Sequence, residues 1–223
     1  MHSITSRNNN ADTLPPPPSP PPPPSLSAGV VPAPAPVPQF EPPAVAEQGP
    51  PGAFLVELLV YNGHPFKDHW AYWVRSHTDK DLGVKIHATG DVRNGFEFEI
   101  KRSSNFRTNE IPPTKRIPLQ WVDGHCFDEK VMFNNGEHKI DNVPVCQFEA
   151  SAHKIKAPGK SLNTTSDANT AANLETQSSS AGNVSKKVTQ RNCQTWIVES
   201  AEQLVKDNIF RREIADYLCA IEQ

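Results

Sequence analysis

The chain has 223 residues and a formal net charge of −3 at pH 7, with no lysine-rich or arginine-rich block. That balance argues against nucleic acid as a partner, because phosphate binding needs clustered basic side chains. Seventeen of its 23 prolines fall within the first 51 residues, which excludes that stretch from a packed core.

Residues 1–52 therefore read as a disordered, proline-rich tail. Pro15 to Pro18 and Pro20 to Pro24 are separated only by Ser19, and such runs adopt polyproline II without burying apolar surface. Pro15 to Pro24 is a candidate ligand for SH3, WW or profilin-like domains, and it would serve equally as a stiff spacer. The remaining residues, 53–223, are expected to form a single α+β domain of about 130 ordered residues, close to the common domain size.

Phe54 to Tyr61 is a short apolar run rich in strand formers, consistent with a central strand. His69 to Val74 follows as a second strand, with His69, Ala71 and Trp73 on one face and Trp70, Tyr72 and Val74 on the other. Both faces are bulky, so this strand is expected inside the sheet. Gly83 to Ala88 reads as a third strand. Phe96, Phe98 and Ile100 then alternate with Glu97, Glu99 and Lys101, the period-2 pattern of a strand with one wet face. On that pattern Glu97 and Glu99 are solvent-face residues rather than an acid and base pair. Lys115 to Val122 carries Pro118 and is expected at an edge, and Val143 to Ile155 supplies another extended segment. Pairing of successive segments predicts an antiparallel meander of five or six strands.

Residues 156–190 are built of Ser, Thr, Asn, Ala and Gly with almost no large apolar group, which reads as a disordered insertion. Two C-terminal helices follow. The first carries Trp196, Ile197, Ala201, Leu204 and Val205 on one face, and the second Ile209, Phe210, Ile214, Tyr217, Leu218 and Ile221, with a corner at Asp207-Asn208.

No run approaches the roughly 18 apolar residues of a membrane span, so no integral membrane segment is expected. The first residues lack the apolar core of a signal peptide, so a cytoplasmic or nuclear location is expected. Cys126, Cys146, Cys193 and Cys219 are widely spaced without a CxxC pair, which in a reducing compartment predicts free thiols. No closely spaced His and Cys pairs suggest zinc, and no glycine-rich phosphate or dinucleotide fingerprint occurs. No cofactor or metal is expected, and nothing in the sequence sets an oligomeric state.

Cys193 is the candidate nucleophile. Asn192 is a good N-cap type, which places Cys193 in the first turn of a helix, where unpaired amides and the helix dipole favour an anion. A thiol so placed can have its pKa lowered to about 3.5–7.5. A cysteine on an apolar helix face is also commonly just a small packed hydrophobe. What favours chemistry is the pair of histidines upstream, since a cysteine nucleophile needs a base and a polar group to orient that base. His69 and His87, on neighbouring strands, can share one side of a sheet against which the Cys193 helix docks by its N-terminus.

The residues His69-Trp70-Ala71-Tyr72-Trp73-Val74, then Ile86-His87-Ala88, then Asn192-Cys193 opening an apolar helix, resemble the permuted papain-like fold of the lecithin:retinol acyltransferase group and its NlpC-type bacterial relatives. The likeness extends more closely to uncharacterised fungal proteins with a His-Trp strand and a Cys-x-Thr-Trp helix, here Cys193, Thr195 and Trp196. It implies that Cys193 is the nucleophile, His69 the base and His87 the residue that orients it. The implied function is a thiol hydrolase or acyltransferase acting on an amide, isopeptide or thioester bond. Gln194-Thr195-Trp196 replaces the Glu-His-Phe that follows the cysteine in the acyltransferases, so their substrate does not transfer with the fold. The alternative is a non-catalytic interaction protein using the proline-rich tail and a degenerate papain-like domain.

Overall fold

The computed structural model describes residues 40–160 and 190–223, all of which fall in one compact unit. Six strands form one antiparallel sheet: β1 (Phe54–Tyr61), β2 (His69–Arg75), β3 (Leu82–Asp91), β4 (Gly95–Asn105), β5 (Lys115–Val122) and β6 (Lys139–Asp141), in the order β5-β1-β2-β3-β4-β6. The helices are a single turn, α1 (Glu129–Met132), then α2 (Gln147–His153), α3 (Cys193–Lys206) and α4 (Arg212–Ile221). The architecture is α+β, as the period-2 and period-3.6 patterns predict.

The sheet has two differently covered faces. Trp70, Tyr72 and Val74 of β2, with Val84, Ile86 and Ala88 of β3, pack in the main core with Trp196, Ile197, Ala201 and Leu204 of α3 and Ile214 and Leu218 of α4. Leu59, Ala71 and Trp73 form a small second cluster on the opposite face, with Tyr61 and Phe106 against it. The bulky-on-both-faces reading of β2 thus corresponds to a strand between β1 and β3 with apolar side chains on either side. Phe148 of α2 joins Tyr72 and Phe210 edge to face, at ring separations of 5.8 and 5.7 Å, the spacing that favours aromatic pairs.

Several expectations need correction. The sheet is a meander only from β1 to β4; β5 crosses back to pair with β1, and its Pro118 lies on the outer edge as foreseen. Val143 to Ile155 is not extended. Its second half forms α2, because Phe148 and Ala152 stand four apart on one helical face in the core and Glu149 meets a buried arginine. The strand that pairs with β4 is instead the short β6 just upstream. Residues 40–52, counted with the tail, lie against the sheet edge, where the Trp121 indole donates to the Ala46 carbonyl at 2.8 Å. The rest of the tail, with the proline runs, and residues 161–189 of the expected insertion lie outside the described residues.

Candidate active site

The α3 N-terminus is built as its sequence suggests. The Asn192 side chain accepts from the Gln194 and Thr195 amides, and Thr195 reaches back to the Asn192 N–H, completing a capping box. Tyr72 of β2 ties the helix to the sheet, its hydroxyl donating to the Ile197 carbonyl at 2.9 Å.

The pairing of β2 with β3 runs from Arg75/Gly83 to Tyr72/Ile86 and stops there, although β2 continues back to His69 and β3 on to Asp91. Into this fork comes the first turn of α3. Gln194, fully buried, donates through Nε2 to the Asp68 carbonyl at 2.8 Å, and the Cys193 Sγ lies 3.9 Å from the same oxygen. The Trp70 amide also acts on the sulfur. The thiol therefore sits against the peptide units on either side of His69.

The two histidines sit on the other face of the sheet from α3, the face of Ala71, Trp73 and Lys85. Their rings meet: His69 Nε2 is 2.8 Å from His87 Nδ1. His87 Nε2 is in turn 2.9 Å from Glu99 Oε1. Among the hydrogen bonds of the described residues, none joins the Cys193 sulfur to an imidazole. The structure thus brings His69 and His87 together, places Cys193 beside the His69 backbone through the fork, and adds Glu99. The helix does not dock on the histidine face, as the sequence had suggested; its first turn reaches that region past the end of the ladder.

Glu99 was hidden in the sequence by its strand period. Opposite His87 in the β3–β4 register, it is a half-buried acceptor rather than a solvent-face residue. The hydrogen bond from His87 holds its carboxyl below the usual carboxylate range. An ionised Glu99 can only accept, so His87 Nε2 carries the proton, His87 Nδ1 is the acceptor, and His69 Nε2 donates to it. By this relay the proton-free nitrogen of His69 is Nδ1, the ring nitrogen nearer the backbone against which the Cys193 sulfur lies.

Burial, helped by the neighbouring His87, Lys85 and Lys101, pushes the His69 imidazole down to about 3. His87 is lowered too, chiefly by burial, with Glu99 opposing. Burial pushes the Cys193 thiol up, and the Trp70, Gln194 and Cys193 amides and the Lys67 charge pull it only part of the way back. The helix terminus acts in the expected direction, but desolvation outweighs it. Thiol and imidazole are both uncharged at rest.

Beside the pair lies a charged array. Lys85 bonds Glu110 at 2.7 Å, and Lys101 stands 3.4 Å from Glu110 and 4.0 Å from Glu99. Among the described residues no group of three or more His, Cys, Asp or Glu could hold a metal ion, and all four cysteines are free. Two surface clefts lie elsewhere, one lined by Phe98, His153 and Lys156, the other by Arg75, His77 and Trp121. No helix among the described residues is long and apolar enough to cross a membrane.

No curated protein and no solved structure matches the chain. A family model does, over residues 56–211, a span that holds His69, His87, Glu99 and Cys193. The chain belongs to the family of unknown function DUF6540.

Proposed function

We propose that this domain is a thiol hydrolase or acyltransferase of papain-like design. Cys193 attacks the carbonyl of an amide, isopeptide or thioester bond, His69 takes the thiol proton at Nδ1, and His87 and Glu99 hold His69 in the accepting tautomer. The attack forms a carbon–sulfur bond as the carbonyl electrons move to oxygen. Expulsion of the leaving group, protonated by His69, gives an acyl thioester that water or a second nucleophile resolves. The Cys193 and Trp70 amides beside the sulfur are the candidate donors to the transient oxyanion.

The observation that carries this reading is the continuous relay His69–His87–Glu99, with Cys193, in the first turn of a capped helix, against the peptide units on either side of His69. Labelling with an electrophilic thiol probe tests it: wild type should label at Cys193 and Cys193→Ala should lose that label. Equal labelling of both chains, or labelling of neither, would sink the proposal.

One observation favours a second reading, a non-catalytic interaction protein. The resting thiol is buried and raised, and its prospective base is held near 3. On that reading the proline-rich tail, Pro15 to Pro24, recruits SH3, WW or profilin-like domains. Pull-downs with and without residues 1–52 separate the two: loss of all partners with the tail, together with an unreactive Cys193, favours the scaffold.

A further inference from the structure

The chain segment after α4 returns to the helix turn that carries Cys193 and is held there by polar contacts to Lys67, Asp68, Gln194 and Thr195. The Gln223 side chain is met at both ends of its amide: Oε1 accepts from the Asp68 N–H at 3.0 Å and from Gln194 Nε2 at 3.2 Å, and Nε2 donates to Asp68 Oδ2 at 3.1 Å. Its backbone N–H donates to Gln194 Oε1 at 2.9 Å, and Lys67 Nζ donates to its main-chain oxygen. The preceding residue is pinned as well, Thr195 donating its hydroxyl to Glu222 at 2.8 Å.

We propose that Asp68 and Gln194 form a carboxamide-recognising subsite beside Cys193, built for the glutamine side chain of a peptide and filled in this chain by its own Gln223. As a substrate subsite it rests on the thiol chemistry proposed above; as a binding site it does not. One N–H of the Gln194 amide is held by the Asp68 carbonyl, which orients its Oε1 and its second N–H toward Gln223. The same Asp68 carbonyl is the one the Cys193 Sγ approaches, which puts the subsite next to the sulfur.

The donor and acceptor pattern selects the side chain. The backbone N–H of Asp68 demands an acceptor and the Asp68 carboxylate demands a donor, which a primary amide supplies in one group. A glutamate in the same place would set one carboxylate against another, and like charges at contact are rejected. Gln194 also measures length: its one amide reads both the ligand's backbone N–H and its side-chain oxygen. Asparagine, a methylene shorter, cannot satisfy both.

The test is calorimetry on the chain shortened by Glu222 and Gln223, which lie past the end of α4 and whose removal vacates both the side-chain and the backbone contacts of the subsite, together with Cys193→Ala, which removes any chemistry. The probes are acetylated, amidated Ala-Ile-Glu-Gln and its Ala-Ile-Glu-Glu and Ala-Ile-Glu-Asn analogues, the first repeating residues 220–223. The glutamine peptide should bind about tenfold more tightly than the glutamate analogue, whose carboxylate would stand against that of Asp68, and measurably more tightly than the asparagine analogue, which cannot meet both ends of the Gln194 amide. Asp68→Ala should abolish the preference over glutamate, with circular dichroism confirming the fold. Equal binding of the three peptides, or binding of none, overturns the proposal. A Cys193 that fails to label in the probe experiment leaves this binding result untouched, so the two ideas fail separately.

Discussion

At the residue scale the site is a conflict between burial and charge. His69 ordinarily titrates near 6.5 and in the fold is pushed down to about 3. Between those values the unfolded chain takes up a proton that the folded chain refuses, so this group contributes stability above pH 6.5 that is lost as the pH falls toward 3. Acid unfolding of His69→Gln should show a shallower loss over that window, and ring nitrogen shifts should find His69 neutral at pH 5. The thiol side works in the opposite sense. Iodoacetamide capture of Cys193 should be slow at pH 7 and climb through the alkaline range, since burial raises the thiol. Glu99→Gln leaves the relay free to adopt either tautomer and removes the carboxylate; at neutral pH the capture rate should drop by about tenfold or more, with Glu99→Asp recovering part of it. A change in the pH profile, rather than in rate alone, separates this positioning role from simple packing. His69, His87 and Cys193 were legible as residue types at the starts and ends of elements. Glu99 was not, because alternation along a strand reports which face a side chain takes and not what stands opposite it.

At the element scale, α2 is anchored to the sheet by a buried ion pair. Arg102 on β4 donates to both carboxylate oxygens of Glu149, at 2.9 and 3.1 Å, and also to the Val143 carbonyl at 2.9 Å. Their side chains are 2% and 0% exposed. Arg102 also holds Asp141 through Nε at 3.2 Å, so Glu149→Ala leaves the guanidinium one of its two carboxylates and should lower unfolding stability by about 1–3 kcal/mol in denaturant titrations. Replacing Arg102 and Glu149 together by apolar residues should cost less. This pair also bears on why Val143 to Ile155, expected as an extended segment, is helical over Gln147–His153. Glu149 has no apolar signature, yet it is among the most deeply buried residues of the helix. By contrast α3 announced itself, because its cap and its apolar face follow from local spacing, whereas its tether to Tyr72 spans 125 positions.

At the scale of the whole described domain, one sheet separates the helical side, with the main core, from a side where a small apolar cluster around Trp73 adjoins the histidine relay and the lysine and glutamate array. The sheet's centre is β2 and β3 and its edges are β5 and β6. Hydrogen exchange should find the slowest amides around Leu58 and Tyr72, both fully buried, and fast exchange in the three-residue β6. Protection in β6 equal to that in β2 would contradict this order. The sequence by itself determined the α+β class, the two-faced β2, the edge position of Pro118, the capped Cys193 helix and its apolar stripe, because each is a periodicity or a cap read within about a dozen residues. Only the tertiary structure decided that β5 returns to β1, that the β2–β3 ladder forks at Tyr72/Ile86, that Glu99 completes the histidine relay and that Gln223 comes back to Asp68 and Gln194. Those are contacts between residues 12 to 155 positions apart. They depend on register and on what packs across the gap, and no local pattern carries either.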